Sequence, residues 1–204
     1  MKKCLLFVLI LLLASRGFSQ KKIRSIQLCA GKSWYGTGDL KGFSVDVLYN
    51  QHITKKIDFS AGLTSTIHYG KDGGFNSLFP GISPDERLIR FTTAGIQLSS
   101  LINYSVFYSH DNQLKIGVGP IVRFQSSSYP DSYGLYQNQN IFPEPFYVIY
   151  NSEKQNLVTS GYNVALTFLT KISINSGIGV KAFFQNDTNG DVITGISFIY
   201  SRLL

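Results

Sequence analysis

The chain has 204 residues, with 19 Lys+Arg against 12 Asp+Glu and a formal charge of +7. The cations are scattered rather than gathered into a stripe, which argues against a nucleic-acid footprint. Two cysteines, and three histidines spread over positions 52, 68 and 110, give neither a disulfide framework nor metal-ligand spacing. Neither a metal centre nor a cofactor is therefore expected.

Lys2 and Lys3 precede an unbroken apolar run, Leu5 to Leu13, and the small residues Ala14, Ser15, Gly17 and Ser19 follow. This order predicts a secretory leader over residues 1–20. The run is far short of the ~20 apolar residues a spanning helix needs. Removing the leader takes away three cations and no anion, so +7 becomes +4, and leaves Cys29 as the one cysteine. Residues 21–204 then form one domain with no apolar stretch of helix length.

From there the chain alternates. A strand sends successive side chains to opposite faces. In the first strand, Ile23 to Trp34, Ile26, Leu28, Ala30 and Trp34 oppose Gln27, Cys29, Gly31 and Ser33. Lys32 falls on the apolar side, either snorkelling or displaced by a bulge. After the turn YGTGDLK, the second strand (Gly42 to His52) sets Phe43, Val45, Val47 and Tyr49 against Ser44, Asp46, Leu48 and Asn50. A short turn, Ile53 to Lys56, leads to the clearest strand, Ile57 to Tyr69. It has Phe59, Leu63, Ile67 and Tyr69 on one side and Asp58, Ser60, Thr64, Thr66 and His68 on the other. A Gly- and Pro-marked loop, about 70–87, intervenes.

The fourth strand runs from about Leu88 to Tyr108 and turns at Ser109 to Gln113. The fifth, Leu114 to Gln125, carries Pro120, which predicts a bulge or irregularity there because proline cannot donate to a ladder. The longest loop, about 126–156, follows. The sixth strand (Leu157 to Leu169) is expected to turn at Thr170 to Ile172 into the seventh (Ser173 to Gln185), with Ile174 on its apolar face. Asp187 to Gly190 reads as a hairpin turn into the eighth, Asp191 to Leu203.

Short and long connections alternate, and aromatics gather at both ends of the apolar faces with aliphatic residues between them. That pattern predicts an all-β fold, an eight-stranded antiparallel up-and-down transmembrane β-barrel with apolar side chains toward lipid. An edge left open in hydrocarbon would strand polar groups, so the sheet must close. With the N-terminus in the periplasm, both termini and the short turns lie there and the long loops outside. A soluble lipocalin-like barrel carrying a lipophilic ligand would show the same alternation turned inside out.

GVGPIVRF (Gly117 to Phe124), GIGVKAFF (Gly177 to Phe184) and GISFIY (Gly195 to Tyr200) resemble the small outer-membrane β-barrels of Bacteroidota, the PorT-like and OmpX/OmpA-like barrels. The resemblance implies residence in outer-membrane lipid and assembly by the general barrel-insertion machinery. The chain ends on Leu204, where such barrels end in an aromatic residue.

Two sets of residues are candidates for function. An eight-stranded barrel has an interior filled by side chains, so Asp46, Asp58, Lys115, Arg123 and Lys181 are expected inside as a charge network rather than along an open pore. The alternative is a narrow ion path. In the longest loop, Tyr129, Tyr133, Tyr136, Phe142, Phe146, Tyr147 and Tyr150 sit among polar neighbours, a chemistry suited to an extracellular protein or a glycan. The stretch FPEPFYVIY could instead extend a hairpin and pack on itself. A lipid-modifying barrel enzyme would need a supported Ser/His pair. His68 and the neighbours Ser109 and His110 are the only hints, so no catalytic residue is expected.

Overall fold

The computed structural model describes residues 23–36, 40–72, 89–129, 132–136, 146–150 and 156–204. The expected leader, most of the first long loop and Phe142 lie outside these.

Among the described residues there are ten strands: β1(Arg24–Tyr35), β2(Leu40–His52), β3(Ile57–Asp72), β4(Ile89–Tyr108), β5(Asn112–Ser127), β6(Ser132–Tyr136), β7(Phe146–Tyr150), β8(Asn156–Ser173), β9(Ser176–Asp187) and β10(Val192–Leu203). Eight of them close a barrel in the order β1-β10-β9-β8-β5-β4-β3-β2, while β6 and β7 form a separate two-stranded sheet. Each barrel strand pairs antiparallel with its neighbours, and β1 with β10 makes the closure. No edge is left in the barrel wall, as a sheet in lipid requires. The strands are unequal: β4 has 20 residues and β8 has 18, whereas β1, β9 and β10 have 12 each.

Alternation decides the two faces. Ser44, Asp46, Asn50, Ser60, Thr64, Thr66, Gln97 and Asn103 are buried inside, while Val45, Val47, Leu63, Ile67, Ile96, Leu98 and Ile102 on the same strands are exposed outside. Leu98 is 62% exposed and Phe198 78%. An apolar band of this extent does not persist on a soluble monomer. Its rims are aromatic. Phe43, Tyr69, Phe124, Tyr162 and Phe184 lie toward the long-loop end, and Tyr49, Phe59, Tyr104, Tyr108, Phe168 and Tyr200 toward the short-turn end. This is a transmembrane β-barrel, and the inverted, lipocalin-like arrangement does not hold.

Some local details differ from the sequence expectation. Lys32 is exposed on the outer face, and β1 keeps continuous register with both neighbours, so no bulge displaces it. Pro120 causes no register shift. Pairing of β5 with β8 runs straight through it, and pairing with β4 lapses between Ser99↔Ile121 and Ile102↔Val118 and then resumes in the same register. Proline opens the ladder locally but adds no residue to it. The bulges fall elsewhere, at Val106 between Ser105 and Phe107 and at Ile172 between Lys171 and Ser173. The second carries β8 on to Ser173, so the turn is Ile174–Asn175 rather than Thr170 to Ile172, and Ile174 stands at its tip, 80% exposed. The Asp187 to Gly190 hairpin forms as expected. Gly190 takes φ +79°, a left-handed conformation that a Cβ would strain, and its N–H donates to the Asp187 carbonyl at 3.0 Å.

Candidate functional site

The inward faces of facing strands meet in the lumen and form three levels. Nearest the short turns, Lys115 on β5 pairs with Asp58 on β3, and the other Asp58 oxygen lies 3.0 Å from His52 Nδ1, within ion-pair reach but off hydrogen-bond geometry. Beside this pair, Asn103 donates to Ser60, which donates to Asn50. At mid-height Lys181 on β9 crosses to Asp46 on β2, and its ammonium lies 5.3 Å from the centre of the Phe183 ring. Toward the long loops Arg123 is fully buried. It donates from Nη2 to Thr66 Oγ1 at 3.1 Å and lies 5.6 Å from the centre of the Tyr35 ring. Gly95 makes room for it, since a Cβ there would fall 2.7 Å from Arg123 Nε.

Apolar residues lock the levels together. Leu101, Ala165, Phe183 and Ile193 form one inward cluster, and Cys29, Leu48 and Ile199 another. Cys29 is thus a small packing residue with a free thiol. Between the two lysine levels the lumen narrows to a void of about 10 Å³, bounded by Gln27, Asn50, Lys115 and Lys181 among others. That is at the limit of room for one water. Buried ion pairs of this kind are costly to break, because removing one partner leaves the other charge unpaired in a low dielectric.

The structure therefore brings the five candidate charges inside, with Asp58 joined to Lys115 and Asp46 to Lys181. Arg123 stands apart from both pairs. The loop aromatics are distributed differently. Tyr129 lies at the barrel rim and meets Phe91 edge-on, with ring centres 4.7 Å apart and planes at 81°. Tyr133 and Tyr136 lie on β6, and Phe146, Tyr147 and Tyr150 on β7, with Tyr136 and Phe146 as Cα partners.

Two features escaped the sequence reading. One is a Ser/His contact: Ser33 Oγ lies 2.9 Å from His68 Nε2, both side chains fully buried in the lumen. His68 Nδ1 has no partner among the described residues, so no acid orients the ring, and Ser33 is turned away from lipid. Alternation placed both residues inside, but nothing in it brought β1 and β3 side chains together. The other is a cavity of about 1040 Å³ that opens at the short-turn end.

The fold and lumen define a closed, eight-stranded, transmembrane barrel with a filled centre. No protein-family model matches the sequence, and no curated protein matches it. Solved structures do resemble it. Ail, the attachment invasion locus protein of Yersinia pestis, solved with the heparin analogue sucrose octasulfate, superposes with a TM-score of 0.53 at 9% identity, over 90% of this chain and 99% of that one. Neisserial surface protein A gives 0.51 at 11% identity, over 89% and 96%. The outer membrane protein OprG from Pseudomonas aeruginosa gives 0.51 at 7%, over 90% and 95%. At such identities the likeness is one of fold alone.

Proposed function

We propose that this protein is an outer-membrane barrel that acts as a binding protein through its long loops, not as a porin and not as an enzyme. The observation that carries the reading is the filled lumen. Two cross-barrel ion pairs and two apolar clusters occupy its middle, which closes the barrel to through-passage and favours contact with other molecules at its ends, the long loops first. On this reading residues 1–20 are cleaved on export, the insertion machinery folds the chain into outer-membrane lipid, and both termini face the periplasm.

The loop between β5 and β8 favours a particular class of partner. It combines seven aromatic residues, Tyr129 to Tyr150, with three acids, Asp131, Glu144 and Glu153, against one cation, Lys154. Aromatic faces stack on sugars and on protein side chains, while the excess of acids disfavours a polyanion. The expected partner is therefore a neutral glycan or a protein surface, in contrast to the sulfated sugar on which Ail was solved.

The test replaces residues 130–155 by a short Gly-Ser linker. The variant should still show the mobility difference between boiled and unboiled samples that marks a closed barrel, yet lose binding to an array of neutral glycans and surface proteins. Binding that survives the deletion would reduce the loop to a structural element. Single-channel recording of the folded protein should be silent, and steady conductance would overturn the closed-lumen reading. Lipid A mass spectra should be the same with and without the protein.

A further inference from the structure

The cavity at the short-turn end plays no part in the loop reading, and its chemistry is graded with depth. Gln27 and Lys115 line both this cavity and the small void farther in, so they form its floor. Ser201 is the Cα partner of Gln27 and stands beside it in the wall. Neither Gln27 nor Ser201 uses its side chain in a hydrogen bond among the described residues. An ammonium has three N–H donors, and Lys115 directs one to Asp58. The floor is thus rich in uncommitted donors. Leu169 in the wall, and Ile53, Ile174 and Leu203 nearer the opening, supply apolar surface among polar turn residues such as Thr54, Ser109 and Asn175. Lys115 is paired with Asp58, and of the other charges lining the cavity Lys55 and Lys171 stand against one carboxylate, Asp111, an excess of one cation that favours anions.

We propose that this mouth is a binding site for a small apolar molecule bearing a terminal carboxylate. The carboxylate sits on Lys115, Gln27 and Ser201, and the apolar part lies against Leu169, Ile174 and Leu203. Charge-assisted bonds from an ammonium and an amide match a carboxylate better than a neutral or cationic head. The cavity is blind, because it ends against a void of about 10 Å³, so the ligand enters end-on and stops. Two sources carry this chemistry, a short-chain fatty acid or the C-terminal end of an apolar peptide. Neither requires the loop reading, nor a particular orientation in the membrane.

The experiment is calorimetric titration of the full-length mature protein in lipid nanodiscs, with empty nanodiscs subtracted. Hexanoate, hexanamide and hexylammonium form one arm, and N-acetyl-Leu-Leu with a free or amidated C-terminus the other. The expected result is saturable binding of at least one acid, at least tenfold tighter than its amide, and the arm that binds identifies the source. Gln27→Met should weaken that binding at least tenfold while leaving the Lys115–Asp58 pair intact. Lys115→Gln should do the same. If it fails to give the mobility shift of a closed barrel, Gln27→Met carries the test alone. No saturable binding, equal binding of acid and amide, or binding unchanged in Gln27→Met would each overturn the proposal.

Discussion

Placing an arginine at Leu98 should cost far more than placing one at Tyr108, although both side chains are 62% exposed on β4. Leu98 is the Cα partner of Leu63, which lies four residues from Phe59 and six from Tyr69 along β3. With a rise of ~3.3 Å per residue and a tilt of ~40°, Leu63 sits about 10 Å from one aromatic rim and about 15 Å from the other. Together these make about 25 Å, the height of the apolar band of such barrels, with Leu98 near its middle. An arginine there should cost about 2–4 kcal/mol, whereas one at Tyr108, on the rim, should cost about 0–1 kcal/mol. The first figure is roughly a 30- to 1,000-fold change in the folding equilibrium. The assay is denaturant unfolding from phosphatidylcholine vesicles, with Leu98→Ala and Tyr108→Ala as the respective hosts. Equal costs at the two positions, or no cost at Leu98, would refute the argument from exposure to lipid. A water-facing surface would tolerate both changes.

Within the lumen, Asp46→Leu alone should destabilise the barrel by about 3–5 kcal/mol by leaving Lys181 buried and unpaired, and adding Lys181→Met should restore most of the loss. Recovery in the double variant, read by the same unfolding assay, is the decisive point. Gly95→Val should cost about 1–3 kcal/mol by driving a side chain into the Arg123 guanidinium, and Arg123→Met in the same chain should relieve it. Additive costs for that pair would show that the two sites do not touch. Ser33→Ala should leave lipid A unmodified but cost about 1–3 kcal/mol of stability, since it leaves the buried imidazole of His68 without its one hydrogen-bond partner among the described residues.

Much of this architecture follows from period-two alternation, which needs only neighbours in the chain. It separated Asp46 from Val45 and Val47, put His68 inside and Tyr69 outside, and located both aromatic rims. Pairings across the lumen are another matter. Whether Lys181 meets Asp46 or Asp58 depends on the stagger of the closed barrel, which no single strand encodes. The same holds for Ser33 with His68. The bulges at Val106 and Ile172 were hidden because an extra apolar residue on an outward face leaves local composition unchanged. Pro120 marked an irregularity that is present, a lapse in pairing with β4, but not a bulge, since losing one donor opens a ladder without moving its register. The β6–β7 hairpin was only half legible. FPEPFYVIY suggested a strand, but its partner SYGLY carries a glycine and too few β-branched residues to mark itself.

The unequal strand lengths give the molecule a front and a back. Beyond its last pair with β2 at Tyr69, β3 continues through 70–72, and β8 runs through 156–160 before its first pair with β9 at Gly161. At about 2.5 Å of height per tilted residue, the half of the wall made by β3, β4, β5 and β8 rises on the order of 10 Å above the other half. Both long connections spring from this raised parapet. On the low side, β9-β10-β1-β2, the connections are short. A molecule approaching in the plane of the membrane therefore meets two different obstacles depending on its bearing, a tall wall or a low sill. Recognition by this barrel would then have a compass direction within the membrane as well as a height above it.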